Sequence, residues 1–315
     1  MRNQYRVLAS AFCVLLAWWA PRAHGSPGSP PPAHPFRVLT TIAPLYSFVK
    51  SIAGEAVELS NLLPQNAEPH DYVLSPGDAR RIARADLVIQ NGLGLEFFLE
   101  KALAKVDREK LFDASAGIPP LPQWRPPGSS AGGSLGGAVP PNPHVWLDPL
   151  FAAVQVENIV RELCRRDAEH ARDYRVRGKR LVEELHRIDD RYRRALDPLP
   201  DKKMVSDHDA FAYLAARYGI RVVAILETRG HAGLSPKLMA WVIDSIARER
   251  VRALFSEVHH VSAELRSLSR DTGVPILLLD SMESGALRAD LYERVADSNR
   301  QSLVEGFQGR TSAQP

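Results

Sequence analysis

The sequence predicts an α/β fold made of two parallel-sheet lobes joined by one long helix. Short apolar runs alternate with amphipathic stretches in both halves of the chain, which is typical of βα units around a parallel sheet. Between the halves, residues 167–196 carry apolar side chains at close to a 3.6-residue period. The 315 residues, without the first 25, are enough for two domains with separate cores.

The first lobe is expected over residues 36–165. Strands are predicted at 36–41, 57–63, 86–90 and 110–112, and helices near 44–53, 76–85, 95–105 and 149–164. Some of these helices begin with proline, which the first turn of a helix tolerates. Residues 114–143 are rich in Pro, Gly and Ser and lack periodicity, so they predict a flexible surface loop outside the core.

The linking helix is expected within residues 166–199, and it ends at the Pro198-Leu199-Pro200 sequence. At 1.5 Å per residue its periodic segment would be about 45 Å long, which suffices to reach from one lobe to the other. The second lobe is expected over residues 200–310. Its predicted strands are 203–206, 221–226, 252–256 and 276–279, and its helices lie near 210–218, 236–248, 263–272 and 288–307.

The N-terminus indicates export. Arg2 and Arg6 form a basic segment that precedes an apolar run, residues 7–19, and this run is too short to span a bilayer. Small residues around 23–25 predict a signal peptide cleaved after Gly25, with an uncleaved anchor as the alternative. Cys13 is not expected to carry a lipid, because a lipid-attachment site needs a small residue before the cysteine and Cys13 follows Phe12. We therefore expect a mature periplasmic protein that starts with a Pro-rich leader, residues 26–35.

Composition excludes several other classes. Cys164 is the only cysteine of the mature chain, so no internal disulfide is expected. The net charge is +3, but basic residues alternate with acidic ones along the predicted helices, which argues against nucleic-acid binding. Gly92-Leu93-Gly94 lacks the third glycine of a dinucleotide fingerprint, so a dinucleotide-binding site is not predicted. We expect a monomer.

Four side chains are predicted to form a metal site. His208 follows the strand at 203–206, Asp280 follows the strand at 276–279, and His70 follows the strand at 57–63 after a short loop. Ligands of open α/β sheets bind beyond the carboxyl ends of the strands, so both lobes would face a shared cleft. His144, which follows Pro143 in a loop, is the fourth candidate.

The chemistry of this set favours metal capture. Three imidazoles and one carboxylate complete the tetrahedral shell that zinc prefers, whereas a catalytic zinc keeps one position for water. The sequence contains neither a His-Glu-x-x-His helix nor a Gly-x-Ser-x-Gly turn. The other histidines of the mature chain have no predicted role in the site. His34 lies in the Pro-rich leader, His170 and His186 lie on the solvated face of the long helix, and His231, His259 and His260 lie in loops.

Several motifs resemble one known family, the zinc/manganese-type metal-binding proteins of bacterial ABC importers, a cluster A-I solute-binding family. The similarity covers essentially the whole mature chain, and the first three of its motifs are specific to this family; the third, with His208, favours its zinc branch. The matching segments are Glu68-Pro69-His70-Asp71-Tyr72 with Ser75-Pro76, residues 143–149, His208 to Leu214 with Tyr218-Gly219, and Leu279-Asp280.

The resemblance implies two α/β lobes bridged by a rigid helix, with a metal between them. It also implies delivery of that metal to an ABC importer permease in the inner membrane, and a periplasmic metal-donor protein is a second candidate partner. Manganese members often carry Glu at the third ligand position, so His208 favours Zn²⁺ over Mn²⁺.

The chain departs from the family pattern at two places. Residues 114–143 contain no histidine where many zinc members insert a His-rich loop, which argues against an auxiliary metal-collecting role. Asp280 is followed by Ser-Met-Glu instead of the usual Pro-Leu-Gly, so Glu68 or Glu283 is an alternative to Asp280 as the fourth ligand.

The resulting prediction is a non-enzymatic protein that captures zinc with high affinity in the periplasm for ABC import. One alternative is a secreted zinc-dependent hydrolase in which Asp280 or Glu68 acts as a general base. Another is a metal-dependent adhesin or sensor that uses the same fold, because a fold does not by itself fix a function.

Overall fold

The computed structural model describes residues 34–65, 67, 72–99, 106–126, 139–226, 235–258 and 260–309. They form two four-stranded sheets, and every strand pair within each sheet is parallel. The predicted architecture of two parallel-sheet lobes is therefore confirmed. No helix in this part of the chain combines the length and hydrophobicity needed to cross a bilayer.

The first sheet has the order β2-β1-β3-β4. Its strands are β1 (Arg37–Thr40), β2 (Glu58–Asn61), β3 (Leu87–Gln90) and β4 (Leu111–Asp113), and its helices are α1 (Ala43–Ala53), α2 (Pro76–Arg84) and α3 (Pro149–Arg166). Shorter 3₁₀ helices cover Leu95–Leu99, Arg108–Lys110 and Val145–Leu147. The first of these stands where an α-helix was predicted at 95–105, and residues 100–105 lie outside the described residues.

Local sequence explains where α2 begins. The Ser75 hydroxyl accepts a hydrogen bond from the amide of Asp78, whose carboxylate accepts one from the amide of Ser75. This reciprocal capping box satisfies two amides that a helix start leaves without partners inside the helix. Pro76 occupies the first helical position, where its missing N–H costs nothing.

The long helix α4 (Ala171–Leu196) contacts elements of both lobes. Arg177 donates from Nη1 to the carbonyl of Ala53 at the end of α1, at 3.0 Å. Near the other end of α4, the Tyr192 hydroxyl donates to the carbonyl of Ala296 at 2.7 Å. The 26 residues of α4 span about 39 Å. The predicted bridging helix is thus confirmed, although it starts four residues later than the predicted segment.

The close packing of α3 against α4 depends on a glycine. A Cβ atom at Gly178 would lie 2.3 Å from Cγ2 of Val160, well inside van der Waals contact. Glycine at this position therefore lets the two helix backbones approach each other.

The second sheet has the order β6-β5-β7-β8. Its strands are β5 (Lys203–Ser206), β6 (Arg221–Ile225), β7 (Leu254–Glu257) and β8 (Ile276–Leu279). A 3₁₀ turn at Asp209–Phe211 leads into α5 (Ala212–Arg217), and α6 (Pro236–Glu249), α7 (Ala263–Thr272) and α8 (Leu291–Gln308) follow. The element order agrees with the prediction, with shifts at the boundaries.

The two lobes share one continuous hydrophobic core. Phe48 of the first lobe, Leu185 of α4 and Phe255 of the second lobe belong to the same buried cluster. Smaller clusters lie on the other faces of the sheets, as expected for parallel sheets covered on both sides. The elements that carry the candidate site are therefore positioned by packing that is common to both lobes.

The prediction of a loop outside the core at 114–143 is wrong for both ends of that segment. Ile118 is buried in a cluster with Val145 and Tyr213. The amide of Asn142 donates to the carbonyl of Leu121 at 2.7 Å, which joins the two ends. Low hydrophobic periodicity did not reveal that these ends are buried, because their contacts are with residues far away in the sequence. Residues 127–138 lie outside the described residues.

Candidate metal centre

The candidate site lies where strand ends of the second sheet meet a turn from the first lobe. His208 lies two residues after β5, and Glu257 is the last residue of β7, the neighbour of β5 in the sheet. Glu283 lies four residues after the end of β8. From the first lobe, His144 directly precedes the 3₁₀ helix Val145–Leu147.

Three of these side chains form a compact group. One potential ligand atom from each of His144, His208 and Glu283 lies within 4.8 Å of the others. Nε2 of His144 is 2.5 Å from Oε1 of Glu283, and both side chains are 3% exposed. The rings of His144 and His208 lie edge to face, with centroids 5.0 Å apart. Two imidazoles and a carboxylate are ligands suited to zinc and neighbouring transition metals.

The ring of His144 is oriented by Asn142. The side-chain oxygen of Asn142 accepts hydrogen bonds from the amide of His144 at 3.0 Å and from its Nδ1 at 2.8 Å. Because Nδ1 is the donor in this contact, the lone pair of the neutral ring is on Nε2, the atom that faces Glu283. Asn142 also donates from Nδ2 to the carbonyl of Asp209 at 2.5 Å, so it links the segments that carry both histidines.

The ring of His208 is oriented by Glu257. Nδ1 of His208 lies 2.8 Å from Oε1 of Glu257, and the amide of Ser281 donates to Oε2 of the same carboxylate at 3.3 Å. Burial raises the pKa of Glu257, but the hydrogen bond and charge of His208 and the Ser281 contact outweigh burial and hold it below its usual value. An ionised carboxylate behind an imidazole is a common arrangement around bound metals, since it fixes the tautomer and raises ring basicity.

Asp280 has a different environment. Its amide donates to Oδ1 of Asn299 at 2.8 Å, and its carbonyl accepts from Nδ2 of Asn299 at 2.8 Å. Its carboxylate oxygen Oδ1 accepts a hydrogen bond from the amide of Met282 at 2.7 Å. Asp280 does not belong to the three-residue group found among the described residues.

The segment that precedes His144 is held by a buried polar network. Asn91 donates from Nδ2 to the carbonyl of Pro143 at 2.9 Å. Glu96 accepts hydrogen bonds from Thr41, from the amide of Asn91 and from the amide of Gly92. Burial raises the pKa of Glu96 to about 7 despite these three donors. The network connects the end of β3 to the turn that carries His144.

An ion pair connects the two lobes beside the site. The carboxylate of Asp148 caps α3 by accepting from the amide of Leu150 at 2.9 Å, and it pairs with Arg217 of α5 through Nε and Nη2 at 2.7–2.9 Å. The side chain of Asp148 is 4% exposed. Asp148 follows His144 by four residues, so the pair fixes the first-lobe turn against the second lobe.

The predicted ligands thus fall into three groups. His144 and His208 lie together, Asp280 lies outside the group that they form with Glu283, and His70 lies outside the described residues. The ligand set as a whole stays a prediction. Sequence reasoning missed the roles of Asn142 and Glu257, although the first lies two residues before a predicted ligand and the second ends a strand beside His208.

The remaining histidines carry no comparable arrangement among the described residues. His170 contacts the carboxylate of Asp167 at 2.8 Å, His186 is exposed on α4, and His260 is exposed after β7. His231 and His259 lie outside the described residues.

Two α/β lobes that hold paired imidazoles and a carboxylate between them define a class, the metal-binding solute receptors. Residues 38–306 match the family described as ZnuA, the periplasmic zinc-uptake complex component A, and the chain belongs to this family. Its members are substrate-binding proteins of ABC metal import and are not enzymes.

The names of individual relatives refer to different metals. The chain is 28% identical over 280 residues to the iron-binding protein YfeA of Yersinia pestis, and the aligned region covers 87% of each of the two chains. It is 28% identical over 250 residues to the zinc-binding lipoprotein AdcA of Streptococcus pneumoniae, covering 78% of this chain and 50% of that protein. The solved structure of FpvC from Pseudomonas aeruginosa in complex with Mn²⁺ is similar with a TM-score of 0.77 and 27% identity, covering 87% of this chain and 99% of that one.

Proposed function

We propose that this protein captures zinc in the periplasm and delivers it to the permease of an ABC importer. One observation carries the proposal: His144, His208 and Glu283 bring their ligand atoms within 4.8 Å of one another in a largely buried site. Each imidazole is also oriented by a hydrogen bond at Nδ1. Such orientation before binding lowers the cost of assembling a metal shell.

Zinc is proposed over manganese because the donor set is rich in nitrogen. Imidazole suits zinc, whereas manganese prefers sites built from carboxylates, carbonyls and water. His70, by its motif, would add a third imidazole to His144 and His208. A shell completed by protein side chains has no position for a reactive water, which supports capture and release without catalysis.

We further propose that the mature chain is monomeric and starts after Gly25, following removal of a signal peptide. The mass of the protein purified from the periplasm tests the cleavage site. Lipid attached at Cys13 would add the mass of its acyl chains and would contradict this proposal, as would a retained N-terminus.

Elemental analysis and metal competition test the proposed cargo. The purified protein is analysed for bound metal, stripped with a chelator and titrated with zinc and manganese in competition with a chromogenic chelator. We expect zinc to be retained and to bind the stripped protein more tightly. Preferential binding of manganese would contradict the zinc assignment, and failure to bind any divalent transition metal would contradict the function.

Histidine variants test the site. His70→Ala, His144→Ala and His208→Ala should each weaken zinc binding more than about 100-fold, beyond the effect usual for residues that only orient a ligand. His186→Ala, on the exposed face of α4, is the matched control and should leave affinity unchanged. Full affinity in any of the three variants would remove that residue from the proposed ligand set. Circular dichroism of the stripped variants checks that each is folded.

A further inference from the structure

We infer that the groove between α3 and α4 binds a monomeric amphipathic carboxylate, an aliphatic chain with one anionic end. The groove is separate from the metal site: α3 begins at Pro149, five residues after His144, and the groove starts at Glu157, about 12 Å further along the helix. Its lining residues come from the two helices and are Glu157, Val160, Arg161, Cys164 and Arg165 of α3, and Arg175, Gly178, Lys179 and Val182 of α4.

The groove has the size of a small-ligand site and an apolar floor. Its volume is about 580 Å³, within the range of about 300–1,000 Å³ that such sites occupy. Val160, Cys164 and Val182 are half-buried and Gly178 is buried, so these residues are recessed between the helices. An aliphatic chain fits such a floor, because its binding removes the apolar surface of both partners from water.

Four cations, two from each helix, stand along the rim. All four are exposed, and they are Arg161, Arg165, Arg175 and Lys179. Glu157 is the one acidic residue among the lining residues that the structure describes. The rim therefore favours an anion, and an arginine side chain can bind a carboxylate through two parallel N–H donors.

The pairing of the helices fixes where these cations lie. α3 and α4 run antiparallel: a Cβ atom at Gly178 would lie 2.3 Å from Cγ2 of Val160, and Sγ of Cys164 donates to the carbonyl of Ala171 at 3.4 Å. Arg161 is therefore at the level of Lys179, and Arg165 is at the level of Arg175. Each level carries two like charges, whose repulsion a bound carboxylate reduces.

Acidic neighbours offset part of the positive charge. Arg165 donates to the carboxylate of Glu162 from Nε at 2.9 Å and from Nη2 at 2.7 Å. Nζ of Lys179 lies 3.9 Å from Oε1 of Glu183. These two cations are thus partly neutralised.

The other two cations have no such partner in the part of the chain that the structure describes. Arg161 donates from Nη2 to the neutral side chain of Asn158 at 2.6 Å, and Arg175 forms no ion pair. One of them lies on each helix, so their charges are available to a single anion bound in the groove.

The groove also has a direction. By the same antiparallel pairing Glu157 is at the level of Val182, so this end combines a carboxylate with an apolar side chain. An anionic head is repelled there and attracted toward Arg165 and Arg175 at the other end. The aliphatic chain then extends over Val160 toward Val182, along a floor about 12 Å long.

The recessed floor favours a monomeric ligand over a bilayer. A membrane-binding helix presents its apolar side chains outward so that they enter the lipid. Here Val160 and Val182 lie below a rim of charged side chains. The groove can therefore enclose one aliphatic chain, whereas its rim would keep the floor away from a flat surface.

Isothermal titration calorimetry with decanoate, below the concentration at which it forms micelles, tests the inference. The protein is used as purified, with its bound metal and without free metal. Acetate offers the same head without the chain, and decyltrimethylammonium offers the chain with a cationic head. We expect one decanoate per protein, bound at least about 10-fold more tightly than either control, because both the chain and the charge contribute.

A double variant tests the position of the ligand. Arg161→Gln combined with Arg175→Gln removes the two unpaired charges, and it should weaken decanoate binding about 10-fold. Arg187→Gln, 57% exposed elsewhere on α4, is the matched control and should bind as wild type does. Decanoate should also slow the alkylation of Cys164 in the wild type, as measured by peptide mass spectrometry. Circular dichroism checks that the variants are folded.

Four results would overturn the inference. They are no binding of decanoate, equal affinity of the double variant and Arg187→Gln, equal binding of decyltrimethylammonium, and unchanged alkylation of Cys164 at saturating decanoate. Binding to vesicles of anionic phospholipid without binding of monomeric decanoate would likewise contradict it, since the surface would then recognise a bilayer. None of the substituted residues is a candidate metal ligand, so a zinc titration tests the proposed function separately.

Discussion

The imidazole of His208 and the carboxylate of Glu257 form a hydrogen bond across neighbouring strand ends, with 2.8 Å between Nδ1 and Oε1. Neither residue can turn independently, because Oε2 of Glu257 also accepts from the amide of Ser281. Orientation of a candidate ligand is therefore built into the edge of the second sheet.

Replacement of Glu257 by Gln should weaken zinc binding by about 10–100-fold, because the neutral amide holds the ring less firmly and lowers its basicity. A competition titration on the stripped protein measures this change. Glu183→Gln, whose side chain is 51% exposed on α4, is the control and should bind as wild type does. Equal affinities for the two variants would show that the Glu257 contact has no role in binding.

Asn142→Ala should impair both stability and metal binding. The substitution leaves a buried His144 ring nitrogen and the carbonyl of Asp209 without the contacts that Asn142 makes. Each lost buried contact costs about 1–3 kcal/mol of unfolding free energy, and zinc affinity should fall by about 10–100-fold. Urea unfolding of the stripped protein and a zinc titration separate the two effects. Reduced stability with unchanged affinity would limit Asn142 to a structural role.

Arg217→Met should destabilise the stripped protein by about 3 kcal/mol, because it leaves the carboxylate of Asp148 buried without its charged partner. Arg187→Met removes the ion pair with Glu184, in which Arg187 is 57% exposed, and should cost less than about 1 kcal/mol. Urea unfolding gives both values. A double-mutant cycle with Asp148→Asn should recover part of the loss, and strictly additive effects would contradict a direct coupling.

Glu96 should make stability depend on pH. Its pKa is about 7 in the folded chain against an ordinary 4.5, because burial outweighs the hydrogen bonds that it accepts. The folded state thus holds a proton that the unfolded state releases, so this contribution is complete below about pH 4.5 and is lost as pH rises through 7. It amounts to at most about 3 kcal/mol.

Unfolding of stripped wild type and of Glu96→Gln at pH 5 and pH 8 measures this dependence. Wild type should lose more stability than the variant on going to pH 8, since all other titrating groups are common to both proteins. Parallel losses in the two proteins would show that Glu96 does not titrate in this interval.

Much of the fold could be predicted from local pattern. The start of α2 follows from Ser75, Pro76 and Asp78, which are neighbours in sequence, and the apolar period of α4 marks its buried face directly. The ends of the segment 114–143 could not be predicted. Ile118 and Asn142 are buried by partners such as Val145, Tyr213 and Asp209, and such distant contacts leave no periodic signal.

The class of the candidate site could be predicted from local sequence, because His144 and His208 lie in recognisable motifs after predicted elements and the alternating βα pattern predicts two parallel-sheet lobes. The polar groups that contact those two rings depend on long-range packing. Asn142 and Glu257 join the site through a turn and a strand end, and Glu283, one of the two sequence alternatives to Asp280, lies beside His144; these contacts depend on how the two lobes pack together. The direction of the Glu283 side chain depends on the backbone dihedral angles of the preceding turn, such as the φ of Met282. Composition and periodicity do not specify these angles.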